Sequence, residues 1–205
     1  MRNRLLLDFG LVEGDAKAKT IEALKRNFAD HGDCLQTGFL GTSILMDTLT
    51  ENGMSDIAYT LLLQHKNPSW LYSVDQGATT IWERWNSYTK EKGFGPVGMN
   101  SFNHYAYGAV LDWICGTAAG LRPGKDGGFE KSFTLAPIPD SRLGSIEATY
   151  RTQKGTIRSS WRYLKDGAVE YTFFVPDGIE VEVIIGGEKR EWKNGFNKIV
   201  VKPIP

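Results

Sequence analysis

The sequence has no excess of charge of either sign and no long apolar run. Its 24 lysines and arginines equal its 24 aspartates and glutamates, so it lacks the basic surface expected of a protein that binds nucleic acid or anionic membranes. A membrane-spanning helix needs roughly 20 apolar residues in succession, and no run reaches that length. Near the N-terminus only Leu5, Leu6 and Leu7 are consecutively apolar before Asp8, which is too short for a secretory signal. We therefore expect no nucleic-acid or membrane partner, and the sequence assigns no compartment.

Ligands for metals and nucleotides are also scarce. The two cysteines, Cys34 and Cys115, lie far apart and fit no metal-binding spacing. The three histidines, at positions 31, 65 and 104, have no partners at metal-ligand spacing. No glycine-rich phosphate loop follows a predicted strand. We predict two free structural thiols, with a disulfide left open as the alternative, and neither a metal nor a cofactor.

The first 121 residues carry the periodicity of helices. Four segments with apolar residues at helical spacing are predicted as helices: 15–30, 42–49, 57–64 and 101–121. Gly32 and Asn52-Gly53 end the first two of these helices, and Ser55-Asp56 is predicted to cap the third. Residues 66–100 between the last two helices are rich in loop-forming residues. Several helices are apolar on more than one face, which predicts that they belong to a larger helical domain.

The pattern changes at residues 122–128, Arg-Pro-Gly-Lys-Asp-Gly-Gly, which form the best domain boundary in the chain. Beyond it, alternation of period two appears between turn signals, in four clear runs: 146–150, 161–163, 171–173 and 179–185. Six or seven short strands at this spacing predict a small antiparallel β-sandwich. The predicted fold class is thus α+β with two domains, a helical part at 1–122 and a sandwich at 123–205.

The most informative segment is Thr-Thr-Ile-Trp-Glu-Arg-Trp, which places Glu83 between Trp82 and Trp85 and beside Arg84. A second segment, 99–108, interleaves polar hydrogen-bonding groups with aromatic residues. Sugar C–H faces pack on indole rings, hydroxyl groups need directional donors and acceptors, and a carboxylate in apolar surroundings can be tuned for proton transfer. Together the two segments predict a site for a neutral, hydroxyl-rich ligand in part of a glycoside hydrolase.

Six blocks of the sequence resemble, in the same order, the C-terminal part of bacterial α-L-rhamnosidases of glycoside hydrolase family 78. The blocks are Leu-Gln-Thr-Gly-Phe-Leu-Gly-Thr at 35–42, Glu-Asn-Gly at 51–53, Ala-Tyr-Thr-Leu-Leu-Leu-Gln at 58–64, Pro-Ser-Trp-Leu-Tyr at 68–72, the segment 76–85 and the segment 99–109. The sandwich after them resembles that family's C-terminal domain. The resemblance covers essentially the whole chain, and it implies an (α/α)6 barrel to which residues 1–122 contribute only the last few helices.

The resemblance also implies an inverting mechanism and a role for Glu83. This residue occupies the position of the family's proposed general base, whereas the general acid comes from an upstream Asp-Trp-Gly-Glu-Arg-like motif that does not occur here. Inversion needs two carboxyl groups roughly 6.5–9.5 Å apart, of which this chain would supply one. Asn86 is a departure, because many relatives carry aspartate there. The implied substrate is a rhamnose-containing glycan or glycoside.

The other candidate site residues each have a structural alternative. His104 is expected to contact a rhamnose hydroxyl, and Asn103 either contacts the sugar or braces the start of the following helix. Trp85 and Trp82 are sugar platforms or core residues, with Trp85 the preferred platform. Arg84 either contacts the ligand or positions a carboxylate.

Two classes of function remain open at this stage. In the first, the chain is a C-terminal fragment of an α-L-rhamnosidase that carries the general base without the general acid and is inactive alone. In the second, it is an inactive remnant or an accessory carbohydrate-binding or interaction module. A missing N-terminal segment, encoded separately, or self-association through an exposed barrel face would give it a protein partner. The resemblance implies a bacterial cytoplasm or periplasm without deciding between them.

Overall fold

The computed structural model describes residues 2–124 and 130–202, which form two compact units, Met1–Val110 and Leu111–Pro205. Residues 125–128 of the predicted boundary segment lie outside the described residues. The predicted division after residue 122 stays a prediction. No described helix combines the length and apolar character needed to cross a membrane.

The first unit consists of short helices followed by a hairpin and one helical turn. Its elements are α1 (Arg2–Asp8), α2 (Gly14–Asp30), α3 (Phe39–Glu51), α4 (Ser55–Leu62), α5 (Trp70–Asp75), β1 (Tyr88–Thr89), β2 (Gly93–Phe94) and a 3₁₀ turn (Ala106–Ala109). Helix α1 packs against α2 and α3, and α3 packs against α4 and the 3₁₀ turn. Buried leucines at positions 35, 45, 49 and 61 lie in the core of this unit.

Helix α2 matches the helix predicted over 15–30. It ends just before Gly32, whose φ of +66° is the left-handed conformation that commonly follows a helix. The other helices differ in their ends. Helix α3 is longer than predicted, and α4 begins at Ser55 itself, with Met54 at the N-cap and no side-chain cap. The predicted cap by Ser55-Asp56 is therefore wrong. The loop-rich region also contains α5, where Ser69 Oγ accepts a hydrogen bond from the Tyr72 N–H at 3.0 Å.

The prediction of one long helix over 101–121 is wrong at both ends. Residues 101–105 are not helical, and the helical segment runs from the 3₁₀ turn through α6 (Val110–Trp113) to a π-helical turn (Ile114–Ala118). Leu121 already begins a strand.

The second unit is a sandwich of two four-stranded sheets. Its strands are β3 (Leu121–Pro123), β4 (Ser132–Leu135), β5 (Ser145–Thr152), β6 (Gly155–Tyr163), β7 (Val169–Val175), β8 (Glu180–Ile185), β9 (Glu188–Arg190) and β10 (Gly195–Val201). The sheet orders are β10–β7–β6–β5 and β3–β4–β8–β9. Inward side chains such as Phe133, Trp161, Phe173 and Val183 form one core. The four predicted runs lie in or next to strands β5 to β8.

The prediction of an antiparallel sandwich needs one correction, because β4 and β8 pair in parallel. Parallel neighbours need a long crossover connection, and here the chain forms β5, β6 and β7 of the other sheet between them. The other described strand pairs of the sandwich are antiparallel.

Two side chains of strand β6 form hydrogen bonds with the residues at the end of the π-helical turn, Ala118 and Ala119. The indole N–H of Trp161 donates to the carbonyl oxygen of Ala118 at 2.7 Å, and the hydroxyl of Ser159 donates to the carbonyl oxygen of Ala119. The last carbonyls of a helix have no partner within the helix, so the sandwich satisfies groups that would otherwise be buried unpaired. All four residues are 5% exposed or less.

Candidate active site

The two segments that carry the predicted site lie side by side. The backbone N–H of Glu83 donates to the carbonyl oxygen of Ser101 at 2.9 Å, and the N–H of His104 donates to that of Ile81 at 2.9 Å. The hydroxyl of Thr80 donates to the carbonyl oxygen of Phe102. This pairing explains why 101–105 are not helical, because their backbone groups bond to the neighbouring segment instead.

Glu83 is half-buried, and one of its carboxylate oxygens is fixed. Its Oε2 accepts a hydrogen bond from the backbone N–H of Ser101 at 2.7 Å, which is the short distance typical of a charged acceptor. Its Oε1 has no partner among the described residues. The side chain lines a cavity of about 290 Å³ together with Gly38, Phe39, Arg84, Met99 and Tyr107. A carboxylate held in this way can accept a proton from a water through its free oxygen.

His104 is half-buried between two aromatic rings. It stacks on Phe39, with ring centroids 4.6 Å apart and planes at 17°, and on Tyr105 at 5.7 Å and 5°. Its Nδ1 accepts the backbone N–H of Ala106 at 3.3 Å. Because an accepting Nδ1 carries no proton, the neutral ring has its proton on Nε2. Nε2 is thus a hydrogen-bond donor of the kind a sugar hydroxyl can use.

Trp85 and Trp82 differ in their surroundings. Trp85 is half-buried and stacks on Tyr107, with centroids 3.7 Å apart and planes at 18°, while Trp70 meets it edge-on at 5.5 Å. Tyr107 therefore covers one face of the Trp85 indole. Trp82 is only 6% exposed and meets Phe102 edge-on at 5.3 Å. Trp82 lies in an aromatic core, whereas Trp85 has one indole face that Tyr107 does not cover.

Tyr107 connects several of these rings. Its backbone carbonyl accepts the indole N–H of Trp70 at 2.9 Å, and its ring contacts both Trp85 and Phe39. Burial raises the pKa of the Tyr107 hydroxyl. This side chain therefore stays neutral through the ordinary pH range.

Arg84 is exposed, and its guanidinium forms no ion pair or hydrogen bond with the part of the chain that the structure describes. Its backbone is held in a turn by the fully buried Ser87, whose Oγ accepts the Arg84 N–H at 3.2 Å and donates to the Arg84 carbonyl oxygen at 3.1 Å. The carbonyl oxygen of Ser87 accepts the side-chain amide of Asn100 at 3.2 Å. Ser87 and Asn100 could not be singled out from the sequence, because their contribution is a tertiary contact rather than a motif.

Asn103 is exposed, and its backbone N–H donates to Ser101 Oγ at 3.2 Å. The helical segment begins at Ala106, with Tyr105 as the N-cap and no side-chain cap. The side chain of Asn103 therefore does not cap that segment. Its position leaves the amide available to a ligand.

Neither a second carboxylate nor a set of metal ligands accompanies Glu83 among the residues that the structure describes at this cavity. Among the described residues that line the Glu83 cavity there is no other aspartate or glutamate. Within the described ranges, no group of three histidine, cysteine, aspartate or glutamate side chains could hold a metal ion. Both cysteines are free thiols, Cys34 buried and Cys115 half-buried.

A helical unit that carries a carboxylate among aromatic rings, followed by a β-sandwich, points to a glycoside hydrolase. Residues 1–117 match the model of the bacterial α-L-rhamnosidase six-hairpin glycosidase domain, and residues 120–199 match that of the bacterial α-L-rhamnosidase C-terminal domain. The chain belongs to the bacterial α-L-rhamnosidase family, and the resemblance found in the sequence is confirmed. The predicted α+β class, with the last helices of an (α/α)6 barrel before a sandwich, is confirmed as well.

Individual relatives agree with this assignment. An α-L-rhamnosidase of Formosa agariphila is 41% identical over 97% of the chain and 22% of its own length. One of an Alteromonas species is 45% identical over 73% of the chain and 16% of its own length. The chain thus spans about a fifth of the length of these relatives.

Solved structures show the same likeness. The Streptomyces avermitilis α-L-rhamnosidase complexed with L-rhamnose superposes with a TM-score of 0.83 at 34% identity, covering 98% of this chain and 20% of that one. The native Aspergillus terreus enzyme gives a TM-score of 0.91 at 30% identity, covering 99% of this chain and 24% of that one.

Proposed function

We propose that this chain is the C-terminal portion of an inverting α-L-rhamnosidase that hydrolyses terminal α-L-rhamnosides, with Glu83 as the general base. The observation that supports it most is the half-buried Glu83 carboxylate, fixed through one oxygen by the Ser101 N–H and open at the other within a cavity. The bound L-rhamnose of the Streptomyces avermitilis relative supports the choice of sugar.

In this proposal each side chain has a separate task. Glu83 Oε1 takes a proton from the water that attacks the anomeric carbon as oxocarbenium character develops. His104 donates from Nε2 to a rhamnose hydroxyl, and the indole face of Trp85 that Tyr107 does not cover packs against the C–H groups of the ring from outside the residues that line the Glu83 cavity. Arg84 and Asn103 offer further donors from exposed positions. Trp82 supports the segment from the aromatic core beneath it.

The general acid of the reaction must come from outside this chain. The cavity around Glu83 offers no second carboxylate among its described lining residues, whereas inversion requires one to protonate the leaving oxygen. We therefore propose that the isolated chain does not hydrolyse rhamnosides. An upstream segment of the same enzyme, or a separately encoded one, would complete the pair of carboxyl groups.

The test of the general base needs an otherwise complete enzyme. We would replace the matching C-terminal part of the Streptomyces avermitilis enzyme with this chain, since the two superpose over 98% of its residues. In this chimera Glu83→Gln keeps the size of the side chain but cannot accept the proton, so kcat for an aryl α-L-rhamnoside should fall by about 10²–10⁴-fold.

The matched control is Glu91→Gln, which makes the same change at an exposed carboxylate in the turn between β1 and β2. We expect this variant to retain its turnover. Near-normal turnover of Glu83→Gln in a folded, active chimera would remove Glu83 from the role. Robust hydrolysis by the isolated chain would contradict the proposed division of the two carboxyl groups.

A further inference from the structure

The outward face of the sheet β10–β7–β6–β5 carries an open groove with mixed chemistry. Side chains alternate strictly along these strands, so that Ile157, Ser159 and Trp161 of β6 point into the core while Arg158 and Arg162 point outward. The groove has a volume of about 620 Å³ and lies entirely within the second unit.

Strand register aligns one row of outward residues across the four strands. Thr149 pairs with Arg158, Arg158 with Phe174, and Phe174 with Phe196. Phe196 is 65% exposed and Phe174 39% exposed. The solvent face of an antiparallel sheet is ordinarily polar, and core packing does not require this aromatic pair. The two phenylalanines are direct partners on neighbouring strands, which lie about 4.8 Å apart, and Arg158 is the partner of Phe174 on the next strand.

The charged groups of this face are unequally engaged. Lys198 and Arg162 both donate to the carboxylate of Glu170, at 2.8 and 2.7 Å, and these hydrogen bonds lower the pKa of Glu170. Arg158 makes only a longer contact, 3.7 Å from Glu147, and its side chain is 51% exposed. Three cations face two carboxylates in the groove, so one positive charge is in excess. The guanidinium of Arg158 is the donor best placed to take a further anion.

We propose that this face binds an acidic oligosaccharide. Its sugar rings would pack on Phe174 and Phe196, and a sugar carboxylate would pair with Arg158. The row runs across the strands, whereas a bound peptide would extend the sheet along its edge strand, β10. Pyranose rings present flat C–H faces at a spacing comparable with that of the strands. This site belongs to the second unit and Glu83 to the first, and the site takes no part in the proposed hydrolysis.

Calorimetric titration of the full chain with short oligogalacturonates tests the proposal. The fully methyl-esterified forms of the same oligosaccharides are the uncharged counterpart, with identical rings and linkages. We expect the acidic ligand to bind and the neutral ligand to bind at least about tenfold more weakly, because it lacks the charge-assisted hydrogen bond. Added salt should weaken the binding of the acidic ligand and leave that of the neutral ligand unchanged, because the interacting charges are exposed to solvent. Equal affinity for the two ligands, or no binding of the acidic one at millimolar concentration, would overturn the proposal.

Variants at exposed positions locate the site without disturbing the core. Arg158→Gln should weaken binding by about tenfold, and the double change Phe174→Ala with Phe196→Ala should remove measurable binding. Arg190→Gln, on the other sheet, and Val200→Ala, outside the row on β10, should retain it. Circular dichroism checks that each variant is folded. Unchanged affinity in Arg158→Gln would contradict a saccharide site, and so would a fall in the light-scattering mass of the protein when the two phenylalanines are removed.

Discussion

At the residue scale, the geometry of the Glu83 carboxylate suits the general base that we propose. The Ser101 N–H holds Oε2, so the side chain is fixed before any ligand arrives. Positioning a reacting group in advance reduces the entropy that must be lost at the moment of reaction. The free Oε1 is thereby aimed by a neighbouring backbone group, and no second ionised side chain is needed to orient it.

Gly120 is the residue at which we expect the smallest change to have the largest effect. It has a φ of +72°, and a Cβ added there would overlap the backbone of Ala136 and Pro137. Gly120→Ala combines the strain of a left-handed conformation, about 1–2 kcal/mol, with a displacement of buried backbone. We expect its total loss of unfolding free energy to exceed about 3 kcal/mol, measured for the sandwich by urea denaturation.

Gly144 provides the matched control for this prediction. Its φ is +80°, yet nothing lies within 4 Å of a Cβ built there. Gly144→Ala should therefore lower the unfolding free energy only by the strain of the left-handed conformation, about 1–2 kcal/mol. If the two variants were equally stable, the close approach of Pro137 to Gly120 would have no energetic consequence.

At the scale of elements, the helices with clear periodicity could be predicted, and those decided by tertiary contacts could not. Helix α2 spans nearly five turns and repeats its apolar face several times. Helix α5 has six residues, too few for a period to be visible. Residues 101–105 continue an apolar helical pattern, but their hydrogen bonds to 80–83 stabilise a non-helical conformation instead. Tertiary pairing thus outweighs local propensity there.

The candidate site divides in the same way. The residue types around Glu83 and His104 mark a candidate carbohydrate site in the sequence, because a carboxylate between two tryptophans is chemically distinctive. The fixing of Glu83 by the Ser101 backbone and the turn held by Ser87 could not be predicted. Both depend on which distant backbone groups meet once the chain is folded.

The attachment of the helical segment to the sandwich gives a prediction at this scale. Trp161→Phe removes the indole N–H that satisfies the buried carbonyl of Ala118. An unpaired buried polar group costs about 1–3 kcal/mol, so the unfolding free energy of the sandwich should fall by at least that amount. Chemical denaturation followed by circular dichroism measures the loss.

Trp192→Phe is the control for the indole substitution. The Nε1 of Trp192 is buried without a hydrogen-bond partner within the described chain, and its ring also packs on the core, edge-on to Phe173 at 5.1 Å. Replacing this indole removes ring volume but no hydrogen bond. A loss in Trp192→Phe as large as that in Trp161→Phe would assign the effect to packing rather than to the bond with Ala118.

At the scale of the whole molecule, the first unit exposes large apolar side chains. Val97 is 99% exposed, Tyr105 89%, Leu40 87% and Met99 76%. Exposed apolar surface of this kind marks sites that contact another protein or lead to aggregation. We expect the isolated 22.9 kDa chain to associate with increasing concentration and to bind a hydrophobic dye, as measured by light scattering and fluorescence.

Paired charge substitutions locate the surface responsible. Leu40→Glu with Val97→Glu should shift the scattering mass toward that of a monomer and reduce dye binding. Ser43→Glu with Gln153→Glu adds the same charge at exposed polar positions and should have little effect. A monomer without dye binding in the unaltered chain would contradict the expected association.

The hydrogen bond between Ser101 and Glu83 has an evolutionary consequence. Its donor belongs to the peptide group and not to the serine side chain, so almost any amino acid at position 101 could preserve it. Proline alone, which has no amide hydrogen, would abolish it outright. Genetic drift can therefore change the residue at position 101 while the orientation of the Glu83 carboxylate is preserved.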